Sequence, residues 1–504
     1  MFFQGLLESL TTLSPTILLG TCLAGIFLII NIRVLYNIFF HPLARYPGPI
    51  SWTSNAIPYQ IALLKGTTHL HSARLHKKYG PVVRVSPNEL SYITAQAWAD
   101  IYGRRHPKQL QKHPDIISGP SGGVYGLANT PNDQDHSRMR RLMAPGFSEK
   151  AVRAQENIFR DHIGRLIAKI RDNEGNGTID LTLFLHATTF DIITDSMFGE
   201  SANTLETGTD WMSLTMPLAR GRIVNTVASS YSTRIIPILR RLLPGMVPNA
   251  AIQFFQNTVI ALDRRLTKPS CDDGRPDILQ HVLPYLDKPN GLTLPELQTT
   301  LRSLMIAGSE TSASILTSAH YFVLSNPRVY ERLLSEIRCQ FASDRDITGT
   351  SVNRCKYLVA VLEETMRIWP AIAISLPRIT PPEGCEIDGL WVPGGIKVGV
   401  NQWAAYSSDC NFARPNEFLP ERWLEEGKEE FANDIRAAFQ PFSTGPRNCL
   451  GMNFARTETR TIFAYLLFDF EMELLTSHEE WDAQKVFIMW SRCSLRVKAR
   501  QVTR

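Results

Sequence analysis

Cys449 sits in the stretch Phe442-Ser443-Thr444-Gly445-Pro446-Arg447-Asn448-Cys449-Leu450-Gly451, a loop suited to presenting one sulfur. Gly445 accepts positive φ and Pro446 fixes φ at about −65°, so together they force a tight turn. Gly451 leaves room for a flat group to approach the backbone. From Met452 to Phe468, apolar residues such as Phe454, Ile462, Phe463 and Leu466 recur at helical spacing, so the sulfur stands at the mouth of a helix. The helix dipole and its free N–H groups favour thiolate there. Arg447 adds a fixed cation suited to an acidic group on a ligand. A single anionic sulfur held this way can bind a metal centre; without that setting, a lone cysteine reads as a buried structural residue.

Three other sets of residues could do chemistry. Ala307-Gly308-Ser309-Glu310-Thr311-Ser312 lies in mid-helix, where so many small and hydroxyl residues are costly for helix propensity. Thr311 and Ser312 can turn their hydroxyls onto i−4 carbonyls and bend the axis; tight packing through small residues is the plainer account of the run. His136 and Arg140 stand at i and i+4 of a helix over Asp135 to Met143 and share a face. Glu364 and Arg367 stand at i and i+3 in a helix from Tyr357 to Trp369 that Pro370 ends. If exposed, that last pair is worth little.

Helices dominate the elements that must position these groups. Thr293-Leu294-Pro295-Glu296 is a capping box with Thr293 at the N-cap, and Asn326-Pro327 stops the helix near Ser325. Thirty or so residues span about 45 Å, enough to cross a domain. Helical periodicity also fills Ile158 to Leu266, broken at Gly175-Asn176-Gly177 and near Leu243-Pro244-Gly245. Short strands are predicted at Val82 to Val85 and Leu90 to Ile93 around Ser86-Pro87-Asn88, and at Ile396 to Val400. Hairpins are predicted about Asp388-Gly389 and within the tail from Ser477 to Val502. Residues 107–131 form a long loop rich in Pro and Gly, of a length that is usually functional. Glu206 to Asn249 fits no simple pattern and is expected to form a lid.

Thr16 to Phe40 is apolar over about the length that crosses a bilayer, with Asn31 and Arg33 its polar interruptions. The residues before it include no Lys or Arg, which disfavours a cleaved signal peptide. Arg33, Arg45 and Lys65 follow it, so the positive-inside rule puts the main body in the cytosol. The rest, 44% hydrophobic and 20% charged over 504 residues, supplies a large core, with no composition break after residue 50. A net charge of +5 argues against nucleic acid as the main partner. The eight cysteines are scattered, with no CxxC, so no zinc or iron–sulfur framework is expected. A reducing environment fits that usage, and the sequon at Asn176 should stay bare.

With the pattern F-x-x-G-x-R-x-C-x-G, the run Ala307 to Ser312 and the pair Glu364-x-x-Arg367 in this order, the chain resembles the cytochrome P-450 family of haem-thiolate monooxygenases over nearly its whole length. The stretches Phe40 to Pro49 and Gln402 to Tyr406 look most like fungal microsomal members of secondary metabolism. The resemblance implies a mainly α fold with a small β-rich lobe and haem b between two long helices. It divides the chain into an anchor and linker (1–45) and a catalytic domain (46–504), with Tyr46-Pro47-Gly48-Pro49 as the orienting hinge. Cys449 would be the axial iron ligand, within a loop whose Phe442, Gly445, Arg447 and Gly451 help to bind the haem. His136, Arg140 and Arg378 would contact its propionates, and Ala307 and Gly308 would leave space for dioxygen. Thr311 and Glu310 would form the alcohol–acid pair that relays protons. Glu364, Arg367 and Arg422 would make a buried network bracing the cysteine loop. The loop at 107–131 would cap the pocket, and the run from Ala371 to Leu376 would line it.

The implied reaction inserts one oxygen atom from dioxygen into an apolar small molecule, a terpenoid or polyketide intermediate by analogy. Electrons would come from NADPH through a reductase, with a cytochrome b-type protein as alternative donor. The protein would be a monomer, single-pass in the endoplasmic reticulum membrane, with its catalytic domain in the cytosol. Arg138, Arg141, Arg456 and Arg460 are expected to gather into a basic patch where an acidic reductase docks. Other readings are a haem-thiolate isomerase or dehydratase working on peroxides, and a non-catalytic haem or lipid carrier.

Overall fold

The N-terminal apolar run is helical from its first described residue. In the computed structural model, which describes residues 15–103, 109–113, 123–174, 177–209, 215–231, 249–268 and 276–502, helix α1 covers Pro15–Leu35 and continues as a π-helical turn over Tyr36–Phe40. Leu19–Phe40 spans 22 residues at a mean hydropathy of 2.0, the one stretch among the described residues long and apolar enough to cross a membrane. Its large side chains, Phe27, Ile29, Phe39 and Phe40 among them, face outward.

Helices build the main body: α2 (Ala95–Tyr102), α3 (Asp133–Met143), α4 (Leu181–Phe198), α5 (Thr215–Tyr231), α6 (Leu294–Leu324), α7 (Lys356–Ile368) and α8 (Met452–Asp469). The long central helix α6 begins where the sequence predicts. Thr293 accepts a hydrogen bond from the Glu296 N–H, and Glu296 reaches back to the Thr293 N–H, a complete capping box. It ends at Ser325, immediately before Asn326-Pro327. Helix α4 is buried almost all round and packs along α6, which itself carries buried residues over most of its length.

The small β lobe is a five-stranded sheet in the order β1-β2-β8-β5-β3, formed by β1 (Val82–Ser86), β2 (Glu89–Tyr92), β3 (Gln111–Lys112), β5 (Arg378–Ile379) and β8 (Lys397–Val400). β2 and β8 run parallel, with Leu90 opposite Val398, so a strand from the C-terminal half completes the N-terminal hairpin. β6 (Cys385–Ile387) and β7 (Leu390–Val392) form the predicted hairpin, with Asp388 (φ 53°) and Gly389 (φ 75°) both left-handed at its turn. In the tail, β12 (Arg496–Gln501) pairs with β9 (Phe470–Leu474) and with β4 (Ile179–Asp180). A two-residue ladder, β10 (Val486–Phe487) with β11 (Met489–Trp490), turns at Ile488, a β-branched residue at φ 83°. Phe487 packs there on Ala219 and Ile223 of α5.

Asn176 of the sequon, residues 107–108 and 114–122 of the expected capping loop, and residues 210–214 and 232–248 of the expected lid lie outside the described residues.

Candidate active site

Close approach shapes the cysteine loop. Gly445 has φ 75°, and a Cβ on it would lie 1.9 Å from the Tyr102 carbonyl oxygen, so this glycine lets the loop rest on the end of α2. Gly451, the N-cap of α8, is different: a Cβ there would meet nothing within 4 Å. The Cys449 N–H donates to the Phe442 carbonyl at 2.8 Å and closes the loop. Its side chain is exposed, though protein surrounds it on most sides. That enclosure pushes the Cys449 thiol up, while the Gly451 N–H and the Arg140 charge pull it down.

Arg140 holds the residue before the sulfur. Its guanidinium donates to the Asn448 carbonyl at 2.7 Å and to Asn448 Oδ1 at 2.6 Å. His136 and Arg140 do share a face of α3, but their tasks differ. His136 is buried and kept neutral, its pKa lowered to about 3 by burial and then by the charges of Arg447, Lys112, Arg140 and Arg378.

The middle of α6 carries the run of small and hydroxyl residues. Ala307 is exposed there, Thr311 is partly exposed, and Ser309, Glu310 and Ser312 are buried. The Thr311 hydroxyl donates to the Ala307 carbonyl at 2.6 Å, the i−4 bond its position suggests. Gly308 also has a packing role. A Cβ on it would lie 2.9 Å from Ile193 Cγ1, so its smallness lets α6 pack against α4. Glu310, one residue from Thr311 and about 100° round the helix, faces away. Its buried carboxylate pairs with Arg492 at 2.8 Å and lies 4.0 Å from His186 Nδ1. The alcohol and the acid that the sequence places side by side thus diverge.

Basic groups cluster around His136. Arg447 is consumed within the protein: it donates to Asp133 Oδ1 at 2.7 Å and to the Thr130 carbonyl at 2.8 Å. Arg378 lies over the Tyr102 ring, 5.4 Å from its centroid, and is 3% exposed; its Nε and Nη1 have no hydrogen-bond partner. Burial and the Arg447 charge lower its pKa to about 10. Lys112 is held well below its ordinary pKa, first by burial and then by Arg378 and Arg447. An unpartnered buried guanidinium beside a second cation is a costly state that an anionic ligand relieves. A flat group carrying carboxylates fits these residues. Sequence reading missed Lys112, a lone lysine in a loop with no periodic or spacing signal.

Behind the loop, Glu364, Arg367 and Arg422 are fully buried. Arg367 and Glu364 pair at 2.8 Å, and Arg422 Nε stands 3.4 Å from Glu364. The main partner of Arg422 is Asp434 at 2.5 Å, while the Trp423 indole N–H donates to Glu364 at 2.9 Å. Five residues, not three, make the network.

The four arginines expected to form one free basic patch do not do so. Arg138 is half-buried and bound to Glu296, the capping residue of α6, and to the Gly291 carbonyl. Arg456 and Arg460 flank Glu363 at 3.6 and 3.8 Å, and Arg456 covers the Phe442 ring. Arg141 is exposed. Helical spacing set the faces correctly, but acidic neighbours distant in sequence claim three of the four.

The sequence profile described as "Cytochrome P450" matches residues 46–495. Over 471 residues the chain is 38% identical to "Cytochrome P450 monooxygenase astA" of Talaromyces wortmannii, covering 92% of this chain and 93% of that protein. It is 36% identical to "Fusicoccadiene 8-ol C-16-hydroxylase" of Phomopsis amygdali (95% of this chain, 92% of that one). It is 37% identical to "Averantin hydroxylase" of Dothistroma septosporum (92% and 88%). Mostly helical, with a presented cysteine and a basic cluster suited to a carboxylate-bearing cofactor, the chain belongs to the cytochrome P450 family and is a haem-thiolate monooxygenase.

Proposed function

We propose that Cys449 would hold the haem iron through its sulfur, that Arg378, Lys112 and His136 would receive the haem carboxylates, and that the substrate is an apolar small molecule of terpenoid or polyketide type. The observation that carries this reading is the exposed Cys449 sulfur next to a basic cluster of Arg140, Arg447, Lys112 and Arg378, in which the buried Arg378 guanidinium leaves two nitrogens unpartnered. The haem would occupy an opening between that loop and the Ala307–Thr311 side of α6. When bound, haem supplies the activation of dioxygen, with one atom entering the substrate and the other leaving as water.

This chain's residues do the rest. Arg140 fixes Asn448 and so aims the neighbouring sulfur. Ala307 keeps the far side of the opening clear. Thr311 holds its proton on the Ala307 carbonyl and, by rotating about χ1, hands it into the opening. Glu310 stands as the acid behind it, its charge balanced by Arg492 until a proton arrives. Arg447 and Asp133 tie the loop to the start of α3. The run from Ala371 to Leu376, with Ala373 and Ile374 buried, gives the substrate side an apolar wall. Relatives named for hydroxylating fusicoccadiene 8-ol and averantin support the substrate class.

Electrons arrive from NADPH through a reductase on the Cys449 side. Helix α1 anchors the chain in the endoplasmic reticulum membrane, the body lies in the cytosol, and the protein works as a monomer. The catalytic domain begins at residue 46, after an anchor and linker of residues 1–45; the family match also starts at residue 46. The test is spectroscopic. The reduced carbon-monoxide complex should show the band diagnostic of thiolate ligation, and Cys449→Ser should lose both that band and most bound haem. Retention of the thiolate band in Cys449→Ser would overturn the assignment.

A further inference from the structure

Behind Glu310 lies a small cavity of about 20 Å³, room for roughly one water. Among its walls are Glu310, Arg492 and three indoles, Trp369, Trp481 and Trp490. These indoles begin an unbroken stack. Trp490 and Trp369 lie 4.0 Å apart at 19°, Trp369 and Trp481 5.3 Å apart at 41°, and Trp481 and Tyr321 4.0 Å apart at 8°. Beyond Tyr321 comes His478, with Nδ1 2.5 Å from the tyrosine hydroxyl. Tyr321 is buried, whereas His478 is exposed, so the stack runs from beside the active site to the surface.

Packing explains why rings are here; it does not explain which rings. Aromatic pairs add stability beyond area burial whatever their type. Phenylalanine is the commonest ring in this chain, 24 against 14 tyrosines and 9 tryptophans, yet every member of the path is an oxidisable Trp or Tyr. Phe322 and Phe418 stack on each other beside the path, outside it. The proton positions are graded too. The Trp490 N–H donates to the Pro370 carbonyl, and the Trp481 N–H has no partner, so neither indole has a base to take its proton. Tyr321 sets its hydroxyl against an imidazole nitrogen, whereas the His69 ring meets Trp490 edge to face at 5.0 Å while the Trp490 N–H goes to Pro370.

We infer that Trp490, Trp369, Trp481 and Tyr321 form an electron path that drains an oxidising equivalent left at the active site when no substrate consumes it. One electron leaves Trp490 for the oxidant, and Trp369, Trp481 and Tyr321 refill the vacancy in turn. Tyr321 ends the sequence because it loses two things together: an electron to Trp481, and its hydroxyl proton to His478 Nδ1, where an N–H bond forms as the O–H bond breaks. A small thiolate or ascorbate at the surface then returns one electron, and His478 returns the proton. The path starts beside Glu310, whose carboxylate is buried against Arg492 whereas Ala307 is exposed. This inference rests on the monooxygenase chemistry of the family.

The experiment uses the full-length holoprotein without substrate, mixed with hydrogen peroxide and frozen within milliseconds for electron paramagnetic resonance. The wild type should give a neutral tyrosyl signal. Tyr321→Phe, which keeps the stacked ring, should lose it several-fold in favour of an indole radical. His478→Asn, a surface change that leaves every ring of the path in place, should diminish the tyrosyl signal likewise. Peroxide equivalents survived before half the haem is bleached should fall several-fold in both variants, and oxidised tryptophan should accumulate at Trp481 and Trp490. An unchanged tyrosyl yield with unchanged survival in Tyr321→Phe would overturn the path, and an unchanged signal in His478→Asn would overturn the proton step. Loss of the thiolate carbon-monoxide band in the wild type would instead mark failure of the haem assignment.

Discussion

Arg140 grips Asn448 at two points, one guanidinium nitrogen on the backbone carbonyl at 2.7 Å and the other on Oδ1 at 2.6 Å. The contact joins α3 to the residue preceding Cys449, across more than three hundred residues of chain. Each charged hydrogen bond of this kind is worth about 1.5–3 kcal/mol. Arg140→Ala should therefore loosen the loop and also remove a charge that pulls the Cys449 thiol pKa down. Haem per protein, read from the reduced pyridine complex, should fall well below wild type. Arg140→Lys keeps the charge without the two-point grip and should lie between them.

Thr311→Ala removes the hydroxyl on the opening but leaves Glu310 with Arg492. Product formed per NADPH should drop by roughly 10²-fold, the lower end of what positioned proton transfer contributes. Peroxide should appear in its place, while the spin shift on substrate binding stays. Thr311→Ser should restore coupling. Equal coupling in wild type and Thr311→Ala would remove the hydroxyl from proton transfer.

Glu364 is fully buried, with Arg367 at 2.8 Å, the Trp423 indole N–H at 2.9 Å and the Leu419 N–H at 3.0 Å on its carboxylate. Removing one partner of a buried ion pair costs about 3–5 kcal/mol, because the remaining charge is stranded. Glu364→Ala should abolish recoverable holoprotein at 37 °C, and Glu364→Gln should fare little better beside two arginines. A denaturant midpoint within error of wild type for either variant would contradict this account.

Glu458, on α8, is buried with no hydrogen-bond partner of ordinary length on either carboxyl oxygen. Burial pushes its pKa up from 4.5 to about 8, against a smaller downward pull from the Ser312 hydroxyl that faces it from α6. Between those two values the folded chain keeps a proton that the unfolded chain has lost. This group's contribution to stability therefore falls as pH rises from about 4.5 to 8 and levels off above. The slope reaches at most one proton, roughly 1.4 kcal/mol per pH unit. Glu458→Gln removes that slope, so unfolding midpoints of wild type and variant should diverge steadily with rising pH. Parallel curves would show that Glu458 does not carry the proton.

What sequence made legible was local. The capping box at Thr293 and the stop at Asn326-Pro327 bounded α6 to the residue, since both signals act within one helical turn. Asp388-Gly389 specified its hairpin because both positions need positive φ. Pairing between distant segments was not legible. Glu310 meets Arg492, Arg422 meets Asp434, and Arg138 meets Glu296, each choice fixed by how whole helices pack. Gly308 shows the same limit: a run of small residues points to tight packing, but only the fold says that the neighbour is Ile193. Lys112 joined the basic cluster because β3 pairs with β5, which puts it opposite Arg378.

That last pairing has a consequence for biogenesis. Lys112 and Arg378 are facing residues of one short ladder, and a chain folding around them must bring like charges together in a poorly solvated place. Ligand that binds only the native state adds RT ln(1 + [L]/Kd) to its stability, so an anionic cofactor supplies what those two residues withhold. The β lobe should close late, on cofactor arrival. Cells starved of haem during synthesis should accumulate a chain whose helices have formed but whose β3–β5 edge remains open to protease, and feeding a haem precursor should rescue yield more than lowering temperature does.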